Sequence, residues 1–136
     1  MIDVLAVDPG TMTGLVLGQV PSPGVIVPRH WWELPQQEAC DLIVDWCADR
    51  DGVNEAVVVV ERFIPRKAKA LTFVPASLEI LGTARWAAKR YGVRFVTQSP
   101  SEKDKVRAFV TREFPGIGRG GEGHAKDALA HLYLFA

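Results

Sequence analysis

The spacing of apolar residues changes along this chain, and each change marks an element. Residues 2–8 contain the unbroken run Val4, Leu5, Ala6, Val7 and end on Asp8. An apolar run this short reads as a strand buried on both faces. Pro9 and Gly10 follow and impose a turn. Runs near 13–20 and 25–32 predict two more strands, with connections short enough for an antiparallel meander. The pattern then shifts to helical spacing near 36–50, entered at Pro35, with Ala39, Ile43, Trp46 and Cys47 on one stripe and Gly52 closing it. Ala56 to Val60 form a β-prone run that ends on Glu61. Strand, helix, strand at this spacing is a crossover, so the 56–61 strand should lie parallel to its neighbour.

Leu78, Leu81, Ala84, Ala88 and Tyr91 predict a helix over 75–91, with Gly92 beyond it and a short strand over 93–97. Ser99, Pro100 and Glu102 make a helix start: a capping hydroxyl, proline in the first turn and an acid three residues on. That helix carries Val106, Phe109 and Val110 and ends before Pro115. Five glycines between 116 and 123 predict a mobile loop, and a last helix begins near His124. With no repeat or linker, residues 1–136 are expected to form one domain.

Composition narrows the setting. No apolar run approaches the roughly 18 residues of a membrane span, and no basic-then-apolar leader opens the sequence, so a cytoplasmic protein is expected. Cys40 and Cys47 are too far apart for a disulfide within one straight helix and are expected as core thiols. The formal net charge is zero, but it divides unevenly. Residues 1–60 hold nine Asp/Glu against two Lys/Arg, and residues 61–136 hold seven against fourteen. Such asymmetry points to nucleic-acid contact.

The candidate chemistry lies at strand ends. Asp8 closes one apolar strand and Glu61 another. If the two strands are adjacent and parallel, the carboxylates share one crevice about 5 Å apart, and their repulsion calls for a cation. His124 and Asp127, three apart, project from one face of the last helix's first turn. Each residue has an ordinary reading alone: a turn residue for Asp8, an arginine partner for Glu61, a cap for His124, a dipole complement for Asp127. Their order and placement carry the case.

Asp-Pro-Gly-x-x-x-x-Gly after the first strand, a Glu ending the valine-rich fourth strand, and His-x-x-Asp-Ala opening a late helix resemble the RuvC Holliday-junction resolvases, of the ribonuclease H-like superfamily. The small size is similar to the compact phage versions. The resemblance spans nearly the whole chain and implies an α/β fold with a mixed five-stranded sheet, order 3-2-1-4-5, and helices on both faces. It implies a divalent-metal-dependent endonuclease for branched DNA, working as a homodimer. Asp8, Glu61, His124 and Asp127 would be the catalytic set, holding two Mg²⁺ or Mn²⁺ ions. The aromatic that members often carry three residues after the strand-four Glu falls here at Ile64, with Phe63 one place early.

Basic residues cluster around this set. Arg62, Arg66, Lys67 and Lys69 follow Glu61, and Lys103, Lys105 and Arg107 open the helix after the fifth strand. With Phe63 they are the expected DNA contacts. Trp86 and Leu78 are candidate subunit contacts, and His131, four after Asp127 on the same helix face, is expected to pack, with support of the site as the alternative. Two other classes remain: a non-catalytic DNA-binding module of the same fold, and a phosphotransferase of the actin and sugar-kinase type, whose phosphate loop also starts Asp-x-Gly-Thr but which needs two such domains.

Overall fold

The computed structural model describes residues 1–52, 55–63, 76–121 and 123–136. In chain order the elements are β1 (Ile2–Asp8), β2 (Met12–Ser22), β3 (Val25–Pro35), α1 (Gln36–Asp49), β4 (Ala56–Glu61), α2 (Ala76–Tyr91), β5 (Arg94–Gln98), α3 (Pro100–Glu113) and α4 (His124–Phe135). The strands form one five-stranded sheet in the order β3-β2-β1-β4-β5. The first three are antiparallel neighbours, while β4 runs parallel to both β1 and β5. This is the mixed sheet expected from the sequence.

Strand alternation divides the side chains between two cores. Leu5, Val7, Leu15, Val58 and Val60 meet α1 and α2 through Ile43, Trp46, Ile80 and Ala84. Val4, Ala6, Val16, Val57 and Val59 meet α3 and α4 through Val110, Leu129 and Leu132. The central strands are therefore covered on both faces, which is why their sequences read as unbroken apolar runs. Cys47 lies in the first core and Cys40 is half-buried, its Sγ 3.6 Å from Thr83 Oγ1.

Two boundaries differ from expectation. The β2–β3 hairpin is longer than its hydrophobic runs, because Thr13 pairs with Leu34 and Gly14 with Glu33. Pro28 and Pro35 disguise the length of β3, yet both are tolerated on an edge strand, where half the backbone donors have no ladder partner. Ser99 does begin α3, with Pro100 in the first turn, but its hydroxyl makes no capping bond and lies 3.0 Å from Ser101 Oγ.

The approach of α4 to the sheet depends on glycine. A Cβ on Gly14 would stand 2.0 Å from the His124 carbonyl oxygen, and one on Gly18 would stand 2.6 Å from Leu132 Cδ2. Two side chains are thus missing from the β2 face on which the helix lies. Gly14→Ala should force α4 off the sheet and cost about 2–3 kcal/mol, a typical overpacking penalty. Gly82 is the contrasting case: a Cβ there meets nothing within 4 Å. Gly82→Ala should stabilise by up to about 1 kcal/mol through helix propensity. Thermal denaturation of the two variants beside the parent checks both signs.

Candidate active site

Alternation also aims the acids. Val4, Ala6, Val57 and Val59 face α3 and α4, so Asp8 and Glu61, in phase with them, face the same way. Val7 pairs with Val60 in the parallel ladder, and one step further brings Asp8 beside Glu61. Both acids thus leave the sheet at its carboxyl edge, where open α/β sheets bind ligands.

The helices complete the group. His124, first residue of α4, brings its Nδ1 to 3.3 Å from Asp8 Oδ2. Asp127 follows in the same turn. Lys103 reaches in from α3, and its Nζ lies 2.8 Å from Glu61 Oε2, 3.5 Å from Asp127 Oδ2 and 3.7 Å from Asp8 Oδ1. Arg107, one turn along α3, pairs with Asp127 at 2.7 Å. Beneath the site, fully buried His131 sets its Nε2 3.0 Å from Glu61 Oε2 and its Nδ1 2.7 Å from the Gln98 side-chain amide. With its amide turned so that nitrogen faces His131 Nδ1, Gln98 donates there, and Nε2 carries the hydrogen that goes to Glu61.

The four catalytic candidates read from the sequence therefore meet, and two more residues join them. Lys103, expected among the outward phosphate contacts, is instead turned in among the carboxylates. Its phase is the signal: it precedes Val106 by three and Val110 by seven, which puts it on the buried stripe of α3. His131 both packs and binds Glu61; its spacing from Asp127 shows the shared face, but only the fold shows the partner. Of the other expected DNA contacts, Arg62 and Lys105 are exposed, while Arg107 is engaged with Asp127. Phe63 and Arg62 line a cavity of about 510 Å³ with Pro9, Glu61, Ser77, Pro100, Ser101, Lys103 and Asp104. Ile64, Arg66, Lys67 and Lys69 lie outside the described residues.

Crowding separates the acidities. Burial, then a hydrogen bond with Glu61, raises Asp8 to about 8, against the pull of Lys103. Burial acts on Glu61 in the same sense, but hydrogen bonds with His131, Asp8 and Lys103 outweigh it and bring that acid down to about 2. Lys103 is raised: burial opposes its charge, yet the Glu61 hydrogen bond and the three carboxylates win. Within the pair, the proton is favoured on Asp8 over Glu61.

Three carboxylates within 4 Å of one ammonium nitrogen define a seat for positive charge. Hard oxygen donors with one imidazole suit Mg²⁺ or Mn²⁺. As they stand, no three His, Cys, Asp or Glu side chains among the described residues are close enough to share one ion. The oxygens are spaced for an ammonium at 2.8–3.7 Å, whereas Mg²⁺ needs oxygens at roughly 2.0–2.1 Å. The donor set fits the ions; holding one requires that Lys103 withdraw and the carboxylates draw in.

No family model matches the sequence, nor does any curated protein. Solved structures do match. RuvC of T. thermophilus in complex with Holliday junction substrate aligns with TM-score 0.67 at 20% identity, covering 98% of this chain and 91% of that one. The yeast mitochondrial Holliday junction resolvase Ydc2 aligns with TM-score 0.57 at 11% identity, covering 96% and 75%. The fowlpox virus resolvase, solved with its substrate Holliday junction DNA, aligns with TM-score 0.57 at 9% identity, covering 98% and 93%. The chain has the ribonuclease H-like fold. Within that fold, its architecture is the one seen in RuvC and these other junction resolvases.

The raised acidity constant of Asp8 makes a signed prediction. A carboxyl that holds its proton more tightly when folded contributes stability at low pH and loses it as pH rises through the folded value, about 8. The lowered constant of Glu61 acts only below the ordinary carboxylate range. Between pH 5 and 8, metal-free protein should therefore lose stability, by at most about 1.4 kcal/mol per pH unit. Asp8→Asn, which carries no titrating proton, should flatten that slope. Chemical denaturation in chelator across this range measures it.

Proposed function

We propose that the protein is a divalent-metal-dependent endonuclease that cuts branched DNA, with four-way junctions as the substrate class. The observation that carries this reading is the meeting of Asp8, Glu61, His124 and Asp127, drawn from three separated elements, at the carboxyl edge of a RuvC-type sheet. Asp8, Glu61, His124 and Asp127 would hold two Mg²⁺ or Mn²⁺ ions. Bound there, such ions activate a water, neutralise charge on phosphorus and assist the leaving oxygen.

The protein's own groups prepare that state. Glu61 enters ionised because His131 and Lys103 hydrogen-bond its carboxylate. Asp8 must give up its proton to become a ligand, so metal binding should release a proton and weaken as pH falls. Lys103 must leave the carboxylates. Its long stem lines the same cavity as Arg62 and Phe63, so the ammonium can turn to a phosphate oxygen nearby. Phe63 offers a flat apolar surface for a base, and exposed Arg62 and Lys105 offer phosphate contacts.

A four-way junction is two-fold symmetric and needs two cuts, which a symmetric dimer with two sites supplies. The surface proposed for this contact is the outer face of α2, where Leu78 and Trp86 are 39% and 57% exposed. Gly82 lies between them on the same helix face. One specific feature favours a second reading, a non-catalytic junction-binding module: Lys103 already satisfies the carboxylates without a metal.

Cleavage assays separate the two. A labelled four-way junction, a flap and a linear duplex are incubated with Mg²⁺, Mn²⁺ or chelator. The expected result is cutting of the junction, at least as fast in Mn²⁺ as in Mg²⁺, with none in chelator. Asp8→Asn should abolish cutting and leave junction binding intact; binding without cutting by the parent protein would favour the module. For the dimer, Leu78→Asp should shift the sedimenting species to monomer, and an unchanged dimer would rule this face out.

A further inference from the structure

α4 supplies two members of the site from its first turn, and no side chain within that turn caps its backbone amides. It is preceded by Gly116, Gly118, Gly120, Gly121 and Gly123. Its N-cap is Gly123, with φ +95°. The body of the helix is held by Ala128, Leu129 and Leu132 in the core. Ion pairs hold the Asp127 side chain; the backbone amides of the first turn have another source of support.

Glu33 is that source. It sits opposite Gly14 in the β2–β3 ladder, on the face where α4 lies. Its Oε1 accepts hydrogen bonds from the His124 N–H at 2.8 Å and the Ala125 N–H at 3.3 Å. Both partners fit only because side chains are missing around them. A Cβ on Gly121 would stand 2.1 Å from Glu33 Oε2, and one on Gly14 would stand 2.0 Å from the His124 carbonyl oxygen. A carboxylate across free helix amides also complements the helix dipole. An acid on an edge strand thus does the work of a missing cap on a helix distant in sequence.

We propose that Glu33 is a positioning residue of the active site, clamping the first turn of α4 so that His124 meets Asp8 and Asp127 meets Lys103. This rests on the nuclease reading above. The clamp works through reach: two amide hydrogens must find one oxygen. The rival role for an acid in this neighbourhood is charge, as one more contribution to cation binding. The two roles respond oppositely to conservative substitution. Glu33→Asp keeps the charge and shortens the side chain by one methylene; Glu33→Gln keeps the reach and an accepting oxygen but removes the charge.

The test compares both variants with the parent in steady-state cleavage of a four-way junction in Mn²⁺ and in amide hydrogen exchange of metal-free protein. Glu33→Asp should lower kcat roughly tenfold or more, as small misplacements of reacting groups do, and shift KM less than about twofold. Glu33→Gln should lose less than about threefold in kcat. The His124 and Ala125 amides should exchange roughly tenfold faster in Glu33→Asp, with β1 and β4 unaffected. Damage in Gln with Asp spared would assign a charge role and overturn the proposal. So would a loss seen in KM rather than kcat, or faster exchange with unchanged kcat, or two variants indistinguishable from the parent. If the parent cuts no junction, the nuclease reading fails, and the exchange comparison alone decides whether Glu33 holds the turn.

Discussion

Parallel pairing of β1 with β4 is the constraint on which the rest depends. In register, Val7 lies beside Val60, and one residue later each strand ends on an acid of the same phase. Both acids therefore turn to one face of the sheet. A slip of a single residue would send one of them to the opposite core. The apolar residues that fix the register are buried on both sides, so the acids have little freedom to avoid each other. Two carboxyl groups forced together and half-desolvated must share a proton or find a cation. Here they do both: Asp8 keeps the proton and Lys103 supplies the positive charge.

The two faces of the sheet divide the labour. Against α1 and α2 the sheet packs an apolar layer of branched and small side chains. Against α3 and α4 the layer is apolar at one end and polar at the other, where Asp8, Glu61, Gln98 and His131 meet. Burial of His131 without its two partners would be costly. With them it is a rigid post under Glu61. Two cations, Lys103 and Arg107, face the Glu61 and Asp127 side chains in the crevice. The polar cluster is therefore compatible with stability in its closed state and has the donor types for a different, metal-bound one.

Much of this was legible in the chain, for identifiable reasons. Strands buried on both faces leave unbroken apolar runs, so an acid at the end of such a run stands out, as Asp8 and Glu61 do. Helical spacing joined His124 to Asp127. The length of β3 was not legible, because its prolines suit an edge strand and imitate a boundary. Glu33 was hidden for the same reason: an acid on an exposed-looking edge carries no periodic signal, and its partners are backbone amides, which no sequence pattern names. Lys103 was hidden by company, since Lys105 and Arg107 flank it and all three look alike until the helix phase is known. The glycine run before α4 suggested mobility, whereas within it Gly121 packs against Glu33 and Gly123 against Arg107.

The contact between His124 and Asp8 spans 116 positions of chain, and α4 follows every other described element in order of synthesis. Domains generally fold as units, so the four groups come together only once the helix that carries the last two is available. A chain released early, or still emerging, holds at most the Asp8 and Glu61 half of the centre. Whatever reaction the assembled group performs therefore needs α4 in place: a chain cut short before His124 lacks two of the four groups.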